Sequence, residues 1–147
     1  MVLACSSALA SFVVQPRLTM TANELSYKAI GCAIEVHKTL GPGLFEKIYE
    51  KALAFELRTL GLRVEEQLDL PVIYKGQDLG IGYRLDLLIE RKLIIEVKAV
   101  QTFDEIHMSQ VMTYLRLTEQ PLGLLMNFNV PLMRDGIQRI AMGDTDA

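Results

Sequence analysis

The hydrophobic pattern opens with helical spacing. Thr21-Ala22-Asn23-Glu24 has the spacing of a capping box and predicts a helix that runs to about Leu40 and ends at Gly41-Pro42-Gly43. A second helix is predicted over residues 44–60, where strong helix formers continue up to Gly61. The stripes that we expect to be buried are Leu25, Ile30, Ile34 and His37 in the first helix, and Ile48, Ala52, Phe55 and Leu57 in the second.

Strand-like segments replace the helical spacing after Gly61. Short alternating or apolar runs predict strands over residues 62–68, 70–74, 79–89 and 93–100. Lys75-Gly76 and Glu90-Arg91-Lys92 predict the turns between the later strands.

Helical spacing then returns once more. Thr102-Phe103-Asp104-Glu105 has capping-box spacing and predicts a helix to about Thr118, before Pro121. A buried strand is predicted over 122–128 and a weak edge strand over 137–142. The predicted order is therefore α-α-β-β-β-β-α-β-β.

The long third helix indicates how two of the strands are arranged. The path from the strand ending near Lys98, through this helix, to the strand at Leu122 has the length of a βαβ crossover. We therefore expect these two strands to be parallel and the fold to be α/β, with a mixed central sheet flanked by helices.

Charged residues occur on two of the apolar strands. Asp86 lies between Leu85 and Leu87, and we expect it to face away from both, while Glu96 and Lys98 point to one face of the next strand. Charges on strands this apolar are rarely without a use. Two carboxylates and an ammonium group predict a site for Mg²⁺ and an activated water, to which the backbone carbonyl of Val97 can add a ligand. The alternative is a surface hairpin whose charges pair with each other.

Three further residues are candidates for the same site. Glu46 lies in the first turn of the second helix, where the helix dipole keeps a carboxylate ionised, and it can be a third acidic group on the metal. Gln110 and Tyr114 share a stripe of the third helix with His107. Gln110 can bond a phosphate or the lysine, and Tyr114 can hold a nucleic-acid backbone. Plain helix charge and a solvated polar stripe are the alternatives.

Length and composition limit the remaining possibilities. The 147 residues suit one domain, which we expect over 21–142, with tails at 1–20 and 143–147 and Met20 as a candidate start. The net charge of −3 argues against a large basic surface for nucleic acid.

Two cysteines and two histidines exclude a disulfide framework and a multi-histidine metal site, and suit the cytoplasm. We expect His37 and Cys32 to be core residues, and no apolar run is long enough to span a membrane.

The chemistry-bearing residues also match a known family. Asp86, Glu96-Val97-Lys98 and the Gln-x-x-x-Tyr of Gln110 to Tyr114 resemble the PD-(D/E)XK nuclease superfamily and its RecB-like branch. Residues 43–49, Gly-Leu-Phe-Glu-Lys-Ile-Tyr, resemble the signature of the GxxExxY proteins, and the resemblance extends over about 23–141. One departure is that Leu85 stands where the superfamily's name has proline.

The resemblance implies a fold, an active centre and an activity. The fold is a restriction-endonuclease-like core of order α-β-β-β-α-β. The active centre is Glu46, Asp86, Glu96 and Lys98, supported by Gln110 and Tyr114. The implied activity is Mg²⁺- or Mn²⁺-dependent hydrolysis of phosphodiester bonds in DNA, with RNA the less favoured substrate and a homodimer one possible assembly. The alternative is an inactive nucleic-acid-binding or protein-interaction module on the same fold.

Overall fold

The computed structural model describes residues 19–147, so the expectation of a tail lies outside the described residues for positions 1–18. Three helices, five strands and one short 3₁₀ helix follow in order. They are α1 (Ala22–Leu40), α2 (Glu46–Thr59), β1 (Val64–Tyr74), β2 (Gln77–Ile89), β3 (Leu93–Lys98), α3 (Glu105–Thr118), β4 (Leu122–Asn127), the 3₁₀ helix Met133–Gly136 and β5 (Ile137–Ala141).

The five strands form one mixed sheet in the order β1-β2-β3-β4-β5. β3 and β4 are parallel, from Leu93 opposite Leu122 to Lys98 opposite Asn127, and the other neighbours are antiparallel. The predicted crossover through α3 is therefore confirmed. α1 and α2 pack on one face of the sheet and α3 on the other, which confirms the predicted α/β class with a mixed sheet flanked by helices.

The strand and cap assignments need two corrections. The segments predicted as separate strands at 62–68 and 70–74 are one strand, β1, because β2 is long enough to pair along nearly all of it, with one irregularity between Pro71 and Ile73. α3 begins at Glu105 with Asp104 as its N-cap, three residues later than predicted. The Asp104 backbone N–H donates to His107 Nδ1 at 3.1 Å, so this histidine helps to cap the N-terminus of α3.

The predicted buried faces of the first two helices are partly wrong. In α2, Ile48 is 42% exposed and Phe55 is 68% exposed, whereas Leu53 and Leu57 are buried. Apolar residues lie on more than one side of α2, so spacing alone does not fix which side faces the core. The contact that fixes it is the Tyr49 ring, which stacks on Phe128 with ring centroids 4.6 Å apart.

The buried face of α1 consists mainly of small side chains. Ala22, Ala29 and Ala33 are fully buried, while Ile34 is 45% exposed, contrary to prediction. His37 is buried and its Nε2 donates to the carbonyl of Val130 at 2.7 Å, which confirms it as a satisfied core histidine.

Cys32 is also a core residue, as predicted. Burial raises the pKa of its thiol, which suits a packing role. No helix within residues 19–147 has the length and apolarity needed to cross a membrane.

Gly123 on β4 lies directly against α3. A Cβ at this position would lie 2.6 Å from Val111 Cγ1, and valine is stiff within a helix. We expect Gly123→Ala to lower the free energy of unfolding by about 1–3 kcal/mol, since α3 must shift to accept the methyl group. Urea denaturation measures this loss. Gly31→Ala is the matched control, because a Cβ there meets nothing within 4 Å. Equal stability of the Gly123→Ala variant and the parent would show that this contact is loose.

Candidate active site

Asp86 lies where the ladder between β2 and β3 ends. The last paired residues are Leu87 and Ile95, and beyond them Asp86 Oδ2 accepts the backbone N–H of Val97 at 2.8 Å. The carboxylate thus replaces the next rung of the ladder and is held against β3. Leu85 and Leu87 pack into different cores, so strand alternation breaks at Asp86 and the prediction that both leucines face away from it is wrong.

Glu96 brings the second carboxylate into the sheet interior. It is only 4% exposed, and its Oε1 lies 3.3 Å from Lys98 Nζ. Its Oε2 is buried and has no hydrogen-bond partner among the described residues. Burying a carboxylate oxygen without a hydrogen-bond donor is energetically unfavourable, so this oxygen is a candidate ligand for a cation.

The carboxylates at this site disfavour one another's charged forms. Burial, followed by the charges of Asp86 and Glu46, raises the pKa of Glu96 to about 8, although Lys98 opposes the shift. Burial also raises the pKa of Asp86; the charge of Glu50 adds to this, and the N–H of Val97 opposes it. The positive charge at the site, from Lys98, is therefore too small to keep the pKa values of both acids near their usual level. A bound cation would favour the ionised forms of both acids.

α2 contributes two glutamates to the surroundings of these acids. Glu46 is exposed, and its Oε1 accepts the backbone N–H of Ala99 at 3.3 Å, directly after β3. Glu50, one turn later, is only 4% exposed, and both of its oxygens accept from Gln67 Nε2 at 2.8 and 2.9 Å. Glu50 and Gln67 are not among the site residues predicted from the sequence. The available signal was that Glu50 lies four residues after Glu46 and so shares its helix face.

The Gln110–Tyr114 stripe of α3 lies within electrostatic reach of the acids. Burial, and then the charge of Glu96, raises the pKa of Tyr114 to about 12. Gln110 Nε2 donates to Tyr114 Oη at 2.6 Å, and within residues 19–147 the amide makes no direct bond to Lys98 or Glu96. Tyr114 is 2% exposed and meets the ring of Tyr83 edge-on, with centroids 5.5 Å apart. Tyr114 is therefore enclosed in this structure, and its contact with a nucleic-acid backbone stays a prediction.

This arrangement of carboxylates, lysine and sheet agrees with one finding from known proteins. The family model of the PD-(D/E)XK nuclease superfamily matches residues 23–140, most of the chain. The chain belongs to the PD-(D/E)XK nuclease superfamily. No curated protein and no solved structure matches it significantly. The superfamily model covers all of the candidate residues, while membership of the narrower GxxExxY group stays a prediction.

In this superfamily member, the Gly-x-x-Glu-x-x-Tyr segment builds the entry to α2. Tyr49 Oη donates to the carbonyl of Gly41 at 2.5 Å and accepts the N–H of Leu44 at 3.0 Å. Gly43 has φ +99°, a conformation that side-chain-bearing residues rarely adopt. Tyr49 and Gly43 thus shape the loop that ends where Glu46 begins the helix.

The Asn-Phe-Asn segment after β4 fixes the loop that follows Lys98. The N–H of Phe128 donates to the carbonyl of Lys98 at 2.9 Å. The side chain of Asn127, which is buried, accepts from Val100 N at 3.0 Å and donates to Val100 O at 2.8 Å. These bonds hold the chain at the end of β3, next to the lysine.

The residues present fit a divalent cation with oxygen ligands. Across residues 19–147, no three or more His, Cys, Asp or Glu side chains are grouped so as to hold a metal ion by themselves. Mg²⁺, however, needs only one or two carboxylates and keeps several waters. Asp86, Glu96 with its unpartnered Oε2, and the carbonyl of Val97 meet that need. Whether Glu46 is also a ligand stays a prediction.

Proposed function

We propose that this protein is a Mg²⁺- or Mn²⁺-dependent nuclease that hydrolyses phosphodiester bonds in DNA, with RNA the less favoured substrate. The observation that carries the proposal is the buried Glu96 beside Lys98, with one carboxylate oxygen that has no hydrogen-bond partner among residues 19–147. That oxygen is left to accept a cation or a water. Membership of a nuclease superfamily supports the same conclusion.

Each residue of the site has a distinct role in this proposal. Asp86 and Glu96 hold the cation, and the carbonyl of Val97 adds a ligand. The bound cation would polarise the scissile phosphate and lower the pKa of a coordinated water. Lys98 orients the attacking water and offsets the negative charge that grows on the phosphate in the transition state. Its side chain is mostly buried, and Glu96 Oε1 at 3.3 Å fixes its direction.

Gln110 and Tyr114 support the centre from α3. The bond between them holds the tyrosine hydroxyl, which lies within reach of the charge of Glu96. We expect neither side chain to be a metal ligand. An amide is a poorer ligand for Mg²⁺ than a carboxylate, and a neutral phenol is poorer still. Gln110 is half-buried and remains able to meet a phosphate group by a small rotation.

The proposal is tested by a cleavage assay with Mg²⁺, with Mn²⁺ and with EDTA. Single-stranded, duplex and branched DNA and RNA are the substrates. We expect metal-dependent cleavage of DNA, and we expect Lys98→Ala to lower the rate by about 100-fold or more, as for loss of one charge-stabilising donor in other enzymes. Lys38→Ala is the matched control, since Lys38 is an exposed lysine in the last turn of α1.

Two outcomes would contradict the proposal. Cleavage that EDTA leaves unchanged would exclude a metal-dependent site. Absence of cleavage on every substrate, with no calorimetric heat of Mn²⁺ binding at millimolar concentration, would favour the inactive binding module.

A further inference from the structure

A glutamine on the edge strand joins two of the carboxylates near the site. Gln67 Nε2 donates to both oxygens of Glu50, at 2.8 and 2.9 Å, and to Asp86 Oδ1 at 3.2 Å. An amide nitrogen has two N–H groups, so one can serve each acid. Because every partner is a carboxylate oxygen, the nitrogen of the amide must face them, since the amide oxygen would be repelled.

The backbone at Gln67 is held in an uncommon conformation. Its φ is +50°, and it lies opposite Asp86 on β1, where neighbours on both sides keep the sheet register. Residues other than glycine adopt such values at a cost, and where they persist the surrounding structure compensates. Here the compensation is visible, since the conformation brings the amide between Glu50 and Asp86.

With Gln67 in place, both oxygens of Asp86 are fixed. Oδ1 accepts from Gln67 and Oδ2 from the backbone of Val97. Each oxygen has a second lone pair, so the carboxylate keeps its capacity to bind a cation while its rotation is prevented. Glu50 in turn holds the amide, and the ammonium group of Lys47 lies 3.4 Å from Glu50 Oε1.

We propose that Gln67 is a positioning residue for the metal site: anchored by Glu50, it holds Asp86 in the orientation that binds the cation. This inference rests on the proposed function, because it concerns how the same site is prepared. Groups that orient a metal ligand typically change metal affinity by 10- to 100-fold when they are removed.

The test separates positioning from stability by replacing Gln67 with glycine. Glycine accepts the positive φ without strain but has no amide, so the fold should be retained. We expect calorimetry to show Mn²⁺ binding weakened by about tenfold or more. We also expect the Tm of the metal-free variant to fall by several degrees, because both buried oxygens of Glu50 lose their amide donor. The Mn²⁺ affinity therefore decides: a merely structural glutamine would give a lowered Tm with an unchanged affinity.

A control and a second variant complete the design. Lys75→Gly is the control, since Lys75 also has a positive φ, of +48°, but lies in the β1–β2 turn; its Mn²⁺ affinity should equal that of the parent. Gln67→Asn keeps an amide and tolerates the same backbone, yet is one methylene too short to bridge both acids. It should weaken Mn²⁺ binding as the glycine variant does, and it replaces that variant if the latter fails to fold.

The outcomes distinguish this inference from the proposed function. A parent protein that binds Mn²⁺ and cleaves DNA, with equal Mn²⁺ affinity in the Gln67 variants, would overturn the positioning role alone. A parent protein that binds no Mn²⁺ would overturn the proposed function and the inference together.

Discussion

We expect Glu96→Gln to impair metal-dependent cleavage strongly and, at the same time, to make the metal-free protein more stable. The variant removes the negative charge that the cation needs, so we expect the cleavage rate to fall by about 100-fold or more. The gain in stability has a separate cause. Burial raises the pKa of Glu96 to about 8, which means that its neutral form is the one the fold prefers, even with Lys98 beside it. Glutamine has nearly the same shape as that neutral form.

The stability gain is large enough to measure at pH 8. A pKa raised from 4.5 to about 8 corresponds to a few kcal/mol of differential interaction. For a chain of this size we therefore expect the Tm of metal-free Glu96→Gln to exceed that of the parent by about 5 °C or more. Differential scanning calorimetry in EDTA gives this value. Glu35→Gln, in an exposed position of α1, is the control and should leave the Tm nearly unchanged.

A loss of both activity and stability in Glu96→Gln would contradict this account. It would mean that the ion pair with Lys98 stabilises the fold, as in an ordinary structural salt bridge. Activity that survives the substitution would remove Glu96 from the metal site. The combination of lost activity with gained stability is the result expected of a residue that serves function at the expense of folding.

The sequence predicted those parts of the site that depend on local order along the chain. Asp86, Glu96 and Lys98 lie on two consecutive strands joined by a short turn, so the pairing of β2 with β3 brings them to the same end of the ladder. The parallel placement of β3 and β4 follows from the length of the helical crossover. The match to the superfamily model agrees with the predicted fold class.

The parts that the sequence could not predict depend on contacts between distant elements. Glu50 and Gln67 meet because α2 docks with Tyr49 against Phe128, and nothing in the local pattern selects that face of the helix. The burial of Tyr114 likewise depends on how closely α3 approaches β4 at Gly123. Spacing identifies a stripe on a helix, but only tertiary packing decides whether that stripe is buried.

We expect the stability of the metal-free protein to fall as the pH rises from about 5 to about 8, and Mg²⁺ to offset part of that fall. The direction of this pH dependence follows from the pKa of Glu96, which is about 8 in the folded protein and near the usual 4.5 in the unfolded chain. Between these values the folded state binds more protons than the unfolded state, so the free energy of unfolding decreases with pH. Asp86 acts in the same direction, because burial raises its pKa too.

One carboxylate near the site has the opposite dependence, but in another pH range. Burial would raise the pKa of Glu66, yet the hydrogen bonds from Lys51 and Arg58 outweigh it and the pKa is lowered from 4.5. Its stabilising effect is present above its usual pKa and is lost only in more acidic solution. It therefore does not mask the trend between pH 5 and 8.

We expect Mg²⁺ to add more stability where more of the acids are ionised. A cation held by Asp86 and Glu96 needs their deprotonated forms, so its stabilising effect on the folded state would increase with pH. We expect the difference in Tm between 10 mM Mg²⁺ and EDTA to be small at pH 5.5 and several degrees at pH 8, because saturation well above Kd is worth about 2–3 kcal/mol. Glu96→Gln should remove most of the pH trend and most of the Mg²⁺ effect. A Tm that rises with pH in EDTA would show that Glu96 is already ionised in the metal-free folded protein. In that case the site would not need a bound cation to keep this carboxylate charged.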